Sequence, residues 1–233
     1  MWPHRSATVS AMTEPSVTAA TGGRWTPVIG LVGGVGAGKS AAARCLERIG
    51  CVVIDSDSRA KALLDDPAVA DTLVRWWGDR VLDHAGRVDR DVVAGIVFED
   101  PAERRRLESL IHPLLAARRS ETIERAKQAG APGVVIDAPL LIEAGLDSLC
   151  DAIVFVDAPV ADRLRRVARD RGWSAEELDR RQAAQAPLEI KRHKAHYVVT
   201  NTGSADDLCR QVRRVFDQIQ NVQRPDRRGV GTG

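Results

Sequence analysis

A parallel α/β sheet covered by helices on both faces is the fold class this sequence predicts, and three observations predict it. Short apolar runs rich in β-branched residues (28–32, 51–54, 134–136, 152–156 and 196–200) alternate with longer stretches of helical periodicity. The first run leads directly into a glycine-rich stretch, and a helical pattern over 41–49 follows it. Two runs end in acids, at Asp55 and Asp137. In an open parallel sheet the carboxyl ends of the strands line the ligand crevice, so these acids and the glycine-rich stretch face one cleft.

The glycine-rich stretch reads Gly33-Gly34-Val35-Gly36-Ala37-Gly38-Lys39-Ser40, which is the spacing of a phosphate-binding loop (Walker A): Gly, four residues, then Gly-Lys-Ser. Each part has a physical purpose. Glycines let the backbone turn sharply and come close to phosphate oxygens, so consecutive amides point into one anion nest. The helix start adds its unpaired amides and positive dipole end. Lys39 is suited to reach the β- and γ-phosphates, and the Ser40 hydroxyl to sit on Mg²⁺. The expected nucleotide-binding set is Gly34, Val35, Gly36, Ala37, Gly38, Lys39, Ser40 and Ala41. The fold expectation sharpens to a P-loop NTPase core of three α/β/α layers around a parallel five-stranded sheet.

Composition narrows the surroundings. A chain of 233 residues has room for one α/β domain with an inserted subdomain. A formal charge of +2 points to neither nucleic acid nor membrane as partner. Cys45, Cys51, Cys150 and Cys209 lack the spacing of a metal site and are expected to be reduced thiols, which goes with a cytoplasmic location. No apolar run approaches the ~20 residues of a membrane span. Residues 1–26, rich in Ser, Thr, Ala and Gly, and residues 221–233, rich in Arg, Gly and Pro, are expected to be disordered tails.

The second run ends in Asp55-Ser56-Asp57, and a helix follows from Ser58 to Leu64. One helix start needs one cap. The second carboxylate is free for chemistry or for Mg²⁺, and Asp57 is the choice for that role. Helical spacing then continues over 67–77, 89–98 and 101–128, with Asp66-Pro67 and Asp100-Pro101 as starts. This predicts an inserted helical subdomain that covers the acceptor. His112-Pro113 is expected to bend the longest helix, and Trp76-Trp77 to pack in a core. Asp137, at the end of the third run, stands where a P-loop protein holds Mg²⁺ through water. Between the fourth and fifth runs the basic residues from Arg163 to Lys194 crowd together, and Gly172 divides two helical stretches. In small-molecule P-loop kinases this segment is a lid whose arginines close on the triphosphate.

The phosphate loop, the Asp55-Ser56-Asp57 turn, Ile111-His112-Pro113-Leu114, Ala138-Pro139-Leu140-Leu141-Ile142-Glu143, Ala183-Ala184-Gln185 and Asn201-Thr202-Gly203-Ser204 together resemble the dephospho-CoA kinase family over Val28 to Ile219. The resemblance implies ATP- and Mg²⁺-dependent phosphorylation of the ribose 3′-hydroxyl of dephospho-CoA, the last step of coenzyme A synthesis. It implies Asp57 as base, Lys39 as phosphate-binding lysine and Arg166 as lid arginine near the transferred phosphoryl group. His112, Pro139 and Leu140 would line the acceptor pocket, and Asn201 and Gly203 would border adenine. The divisions it implies are core (27–66), helical CoA-binding insert (67–130), core (131–160), lid (161–195) and core (196–220). Val32 and Ala41 stand where the family often has Thr. The competing expectations are another P-loop nucleoside or nucleoside-monophosphate kinase and, from a different class, a GTPase-like switch; the second lacks an Asn-Lys-x-Asp guanine-reading motif.

Overall fold

A computed structural model describes residues 25–222. The two predicted tails lie almost wholly outside those residues.

Five strands form one parallel sheet in the order β2-β3-β1-β4-β5: β1 (Val28–Gly33), β2 (Val52–Asp55), β3 (Val134–Asp137), β4 (Ala152–Asp157) and β5 (Tyr197–Thr200). β1 sits in the centre and is buried along its whole length. Its side chains alternate between two cores, as the period of two along a strand requires. Ile29 and Leu31 pack with helix α1 (Lys39–Glu47) and helix α9 (Ala205–Asn221), whose Leu208, Val212, Phe216 and Ile219 form an apolar stripe. Val28 and Val32 pack on the opposite face with Ile54, Ile136, Phe155 and with Ile123 and Ala126 of helix α5 (Pro101–Gln128). The three-layer expectation is met.

Asp55 caps helix α2 (Ser56–Leu64) by accepting from Ser58 N–H at 2.9 Å, so the helix begins two residues earlier than expected and Asp57 falls in its first turn. Helix α3 (Pro67–Trp77), a 3₁₀ turn (Asp79–Val81), helix α4 (Arg90–Glu99) and the first half of α5 gather around a third core of Leu63, Leu73, Val81 and Ile111. Asp66, Asp89 and Asp100 cap the three helices through their carboxylates. Trp77 packs in this core and donates its indole N–H to Glu103 at 2.8 Å. Pro113 differs from expectation, because α5 runs through it without a break. Burial of Ile111 in one core and Ile123 in another holds both halves of the helix in place, which outweighs the bond that proline removes.

The basic segment forms helices α6 (Val160–Arg171), α7 (Ala175–Ala183) and α8 (Leu188–His193). The expectation of four reduced cysteines is corrected in part. Cys45 of α1 and Cys209 of α9 are joined by a disulfide with a Cα–Cα distance of 5.2 Å, while Cys51 and Cys150 are buried thiols. The pair is 164 residues apart in sequence, and only the packing of α1 on α9 brings it together.

Candidate active site

The phosphate loop is shaped from outside. Gly33, Gly36 and Gly38 have φ of 147°, 75° and 99°, values that L side chains rarely adopt. A Cβ at Gly38 would collide with the Asn201 amide, and one at Gly36 would lie 2.8 Å from the Arg163 carbonyl oxygen. The carbonyls from Gly33 to Ala37 all accept hydrogen bonds from side chains. Lys39 Nζ donates to Gly33 O and Gly34 O, each at 3.2 Å. Arg163 Nη1 donates to Val35 O at 3.3 Å, and Arg166 Nη1 donates to Gly36 O and Ala37 O at 3.4 and 3.3 Å. Asn201 Nδ2 donates to Ala37 O at 2.8 Å.

The amides are left differently. Val35 N–H donates to Gln182 Oε1 at 3.0 Å and Ala37 N–H to Gly34 O at 3.1 Å. Those of Gly36, Gly38, Lys39 and Ser40 have no protein acceptor among the described residues, and Gly38 supplies no side-chain cap to α1. Four free donors at a helix start make an anion site.

The acids come from the neighbouring strand ends. Asp55 and Asp137 are register partners across β2 and β3. Ser40 Oγ donates to Asp137 Oδ2 at 2.8 Å. Burial raises the Asp137 pKa, with Asp55 and Asp57 adding to the rise, while the Ser40 bond and the Lys39 charge oppose it. Burial also brings Lys39 down to about 8, against the charge of Asp137. Asp57 is raised by desolvation and by Asp55, and lowered by Lys61, Arg171 and Lys39. Asp57 and Lys39 thus lie within electrostatic reach of each other, at the ends of β2 and β1. A hydroxyl and a carboxylate beside a phosphate site suit Mg²⁺, which takes few protein ligands and fills its shell with water and phosphate oxygens. Among the described residues no cluster of three or more His, Cys, Asp or Glu side chains could hold a metal by itself.

The other expected residues divide. Asn201 is buried under the loop, and Gly203 lies in the turn before α9, against the Asp207 carboxylate of the capping box. Ala41 lies in the first turn of α1. Pro139 accepts weakly through its carbonyl from Lys191 Nζ at 3.5 Å, and Leu140 is exposed. His112 is exposed on α5, and its imidazole makes no hydrogen bond among the described residues. Arg166, the expected lid arginine, stands on α6 against the phosphate loop. Its guanidinium donates to three backbone carbonyls, those of Gly36, Ala37 and, at 2.7 Å, Asn201. One turn beyond Arg163 on α6, it faces the back of the loop.

Sequence reasoning missed Gln182, which ties α7 to the loop by accepting from both Val35 N–H and Arg163 Nη1, each at 3.0 Å. It also missed Lys191, a fully buried ammonium that donates to Gln185 at 2.8 Å and pairs with Glu143 at 3.2 Å. Neither carries a motif of its own; Gln185, in the Ala-Ala-Gln segment, was the nearest signal. The remaining cations of 161–195 are mostly paired. Arg165, Arg169, Arg180 and Arg181 bond to acids on their own helices, and Arg192 and Lys194 to Asp157 and Asp147.

Comparison with known proteins agrees with this geometry. The dephospho-CoA kinase family profile matches residues 27–207. The dephospho-CoA kinase of Thermobifida fusca is 37% identical over 194 residues, covering 82% of this chain and 96% of that protein. That of Anaeromyxobacter dehalogenans is 40% identical over 196 residues, covering 83% and 92%. A crystal structure from Thermus thermophilus superposes with a TM-score of 0.70 at 35% identity, covering 83% of this chain and 97% of that one. A loop of free amides, a lysine and a serine at the end of β1, acids at the ends of β2 and β3, and a sequence match across nearly all the described residues converge: the chain belongs to the dephospho-CoA kinase family.

Proposed function

We propose that this protein transfers the γ-phosphoryl group of ATP to the ribose 3′-hydroxyl of dephospho-CoA, giving coenzyme A and ADP. The observation that carries the reading is that Lys39 and the free loop amides follow β1 while Asp57 follows β2, near enough for the Lys39 and Asp57 charges to act on each other. The identity of the acceptor rests on family membership.

In this reading the amides of Gly36, Gly38, Lys39 and Ser40 hold the phosphates, with Gly34, Val35, Ala37 and Ala41 completing the loop. Lys39, released from the carbonyls of Gly33 and Gly34, moves its charge onto the β/γ oxygens. Asp57 orients the acceptor hydroxyl and takes its proton as the new bond to phosphorus forms. A carboxylate with a raised pKa is a stronger base, which suits that step. Ser40, with Asp137 behind it, would hold Mg²⁺, whose charge would offset that of the phosphates. Asn201 and Gly203 border the adenine side, and Arg166, which donates to the Asn201 carbonyl and to the loop, is the lid arginine that would meet the transferred phosphoryl group. Residues 67–130 form the acceptor-binding insert, whose His112 lines the acceptor site together with Pro139 and Leu140 of the adjoining core segment, and residues 161–195 form the lid. Core segments 27–66, 131–160 and 196–220 carry both. Both substrates being cytoplasmic metabolites, the location proposed is the cytoplasm. Among the described residues no helix is long and apolar enough to cross a membrane.

The test is ADP formation across candidate acceptors. Dephospho-CoA should stimulate it well above AMP and uridine. Stimulation by AMP or uridine alone would move the protein to the nucleoside or nucleoside-monophosphate kinases, and GTP hydrolysis with no acceptor would favour a switch.

A further inference from the structure

Lys191 of α8 is a buried charge that the proposed chemistry does not use. It is the largest side chain wholly removed from solvent among the described residues, 1% exposed. Burying an ammonium is costly unless its donors are met. Its Nζ donates to Gln185 Oε1 at 2.8 Å, pairs with Glu143 Oε1 at 3.2 Å and lies 3.5 Å from Pro139 O. The Glu143 carboxylate also accepts from Ala186 N–H at 2.6 Å. A buried ion pair adds little net stability over apolar side chains of the same volume, so its use is to be sought in what it holds in place.

What it holds is the turn after β3. Asp137 ends that strand, and the chain folds at once, with Leu141 N–H bonded to Ala138 O at 3.2 Å and Ala144 N–H to Leu140 O at 2.9 Å. Leu141 is fully buried beside Gly30, where a Cβ would stand 3.0 Å from Leu141 Cδ1. Leu140, next to it, is 47% exposed. The turn is thus pinned on one side by Leu141 in the core and on the other by Lys191 through Glu143, and between these anchors it carries an apolar side chain in the open. The stretch 182–191 that supplies Lys191 also meets the phosphate loop, since Gln182 accepts from Val35 N–H at 3.0 Å. The charge of Lys191 extends to Lys39 as well, adding to the burial that brings it down to about 8.

We propose that Lys191 is a positioning residue for the acceptor: paired with Glu143, it fixes the turn that presents Pro139 and Leu140 to dephospho-CoA, without touching either substrate. This deepens the phosphoryl-transfer reading and rests on it. With an apolar chain in place of the ammonium, Glu143 keeps only the Ala186 amide, Gln185 Oε1 loses that donor, and the turn keeps only its Leu141 anchor. Small misplacements of a substrate-bearing surface weaken binding and reaction together.

The unaltered protein comes first. Dephospho-CoA-dependent ADP formation there tests the parent reading alone, and its absence would fell that reading and this one with it. Lys191→Met keeps the chain length and removes the charge; KM for dephospho-CoA should rise on the order of tenfold while KM for ATP stays within about twofold. Glu143→Gln, a milder change at a less buried position, should raise the same constant about threefold, and it serves where Lys191→Met does not fold. Loss of stability alone is controlled by Ile219→Ala, which opens a cavity in the core between α1 and α9 and should leave both KM values within about twofold. The decisive readout is coupling to Leu140. Leu140→Ala in the unaltered background should raise KM for dephospho-CoA about fivefold, but add less than about twofold to Lys191→Met, where the turn no longer presents that side chain. In the Glu143→Gln background its effect should likewise be smaller than in the unaltered one. Additive effects of the paired substitutions overturn the proposal, as does a dephospho-CoA KM in Lys191→Met and Glu143→Gln no higher than in Ile219→Ala.

Discussion

The nucleotide side and the acceptor side of the crevice are built differently. Around the phosphate loop five consecutive carbonyls are engaged by four side chains from α1, α6 and the segment after β5, and the loop valine and alanine are buried. On the side proposed for the acceptor Asp57, His112 and Leu140 are exposed, and helices α2 to α5 share a core of their own, separate from those of the sheet. The difference teaches where each half draws its precision. In the proposed reading a triphosphate would meet donors already fixed by the fold, whereas the acceptor would meet exposed side chains. Preorganised charge is where most catalytic stabilisation arises, so the prebuilt half should dominate the rate.

Substitutions can break or sharpen this contrast. The largest effect belongs to Lys39→Ala, which removes the charge aimed at the phosphates: turnover should fall by on the order of 10³-fold, and ATP affinity should weaken in the same titration. Next, Leu63→Ala opens a cavity at a fully buried position of the helical core and should destabilise the protein by about 2–5 kcal/mol in urea unfolding. If the two halves are as separate as they look, ATP affinity in the folded fraction of that variant stays unchanged. A gentler probe is pH. Lys39 in the free protein loses its proton as pH rises through about 8, since burial lowers it from 10.5. A bound triphosphate favours the ammonium, so above that pH binding must take up a proton, and ATP affinity should drop by up to about tenfold per pH unit. Calorimetry in buffers of different ionisation enthalpy would detect the uptake; pH-independent affinity between pH 7 and 9.5 would count against the buried, charge-tuned lysine. The smallest effect is that of His112→Ala, expected to raise KM for dephospho-CoA a few-fold with KM for ATP unmoved.

What could be read in the sequence follows physical locality. Gly33 to Ser40 carried its own geometry, because a loop that needs positive φ and close backbone approach admits little besides glycine. Asp55 and Asp57 were separable by the rule that one helix start takes one cap. The helix starts at Asp66-Pro67 and Asp100-Pro101 were legible for the same reason. Features that depend on distant packing were not. Pro113 looked like a bend, yet two separate cores hold its helix through it. Cys45 and Cys209 carried no spacing signal because helix packing alone makes them neighbours. The arginines of 161–195 were indistinguishable as a charge run, since tertiary packing decides which partner each one holds, a loop carbonyl for Arg166 and a carboxylate of its own helix for Arg181.

The central claim is that a carboxylate on the β2 side works on an acceptor whose phosphoryl donor is held by the β1 side. Steady-state turnover of Asp57→Asn with dephospho-CoA, measured alongside ATP affinity on the same preparation, tests it most directly. The account predicts a fall in turnover on the order of 10² or more with ATP affinity intact. Turnover within twofold of the unaltered protein would contradict it.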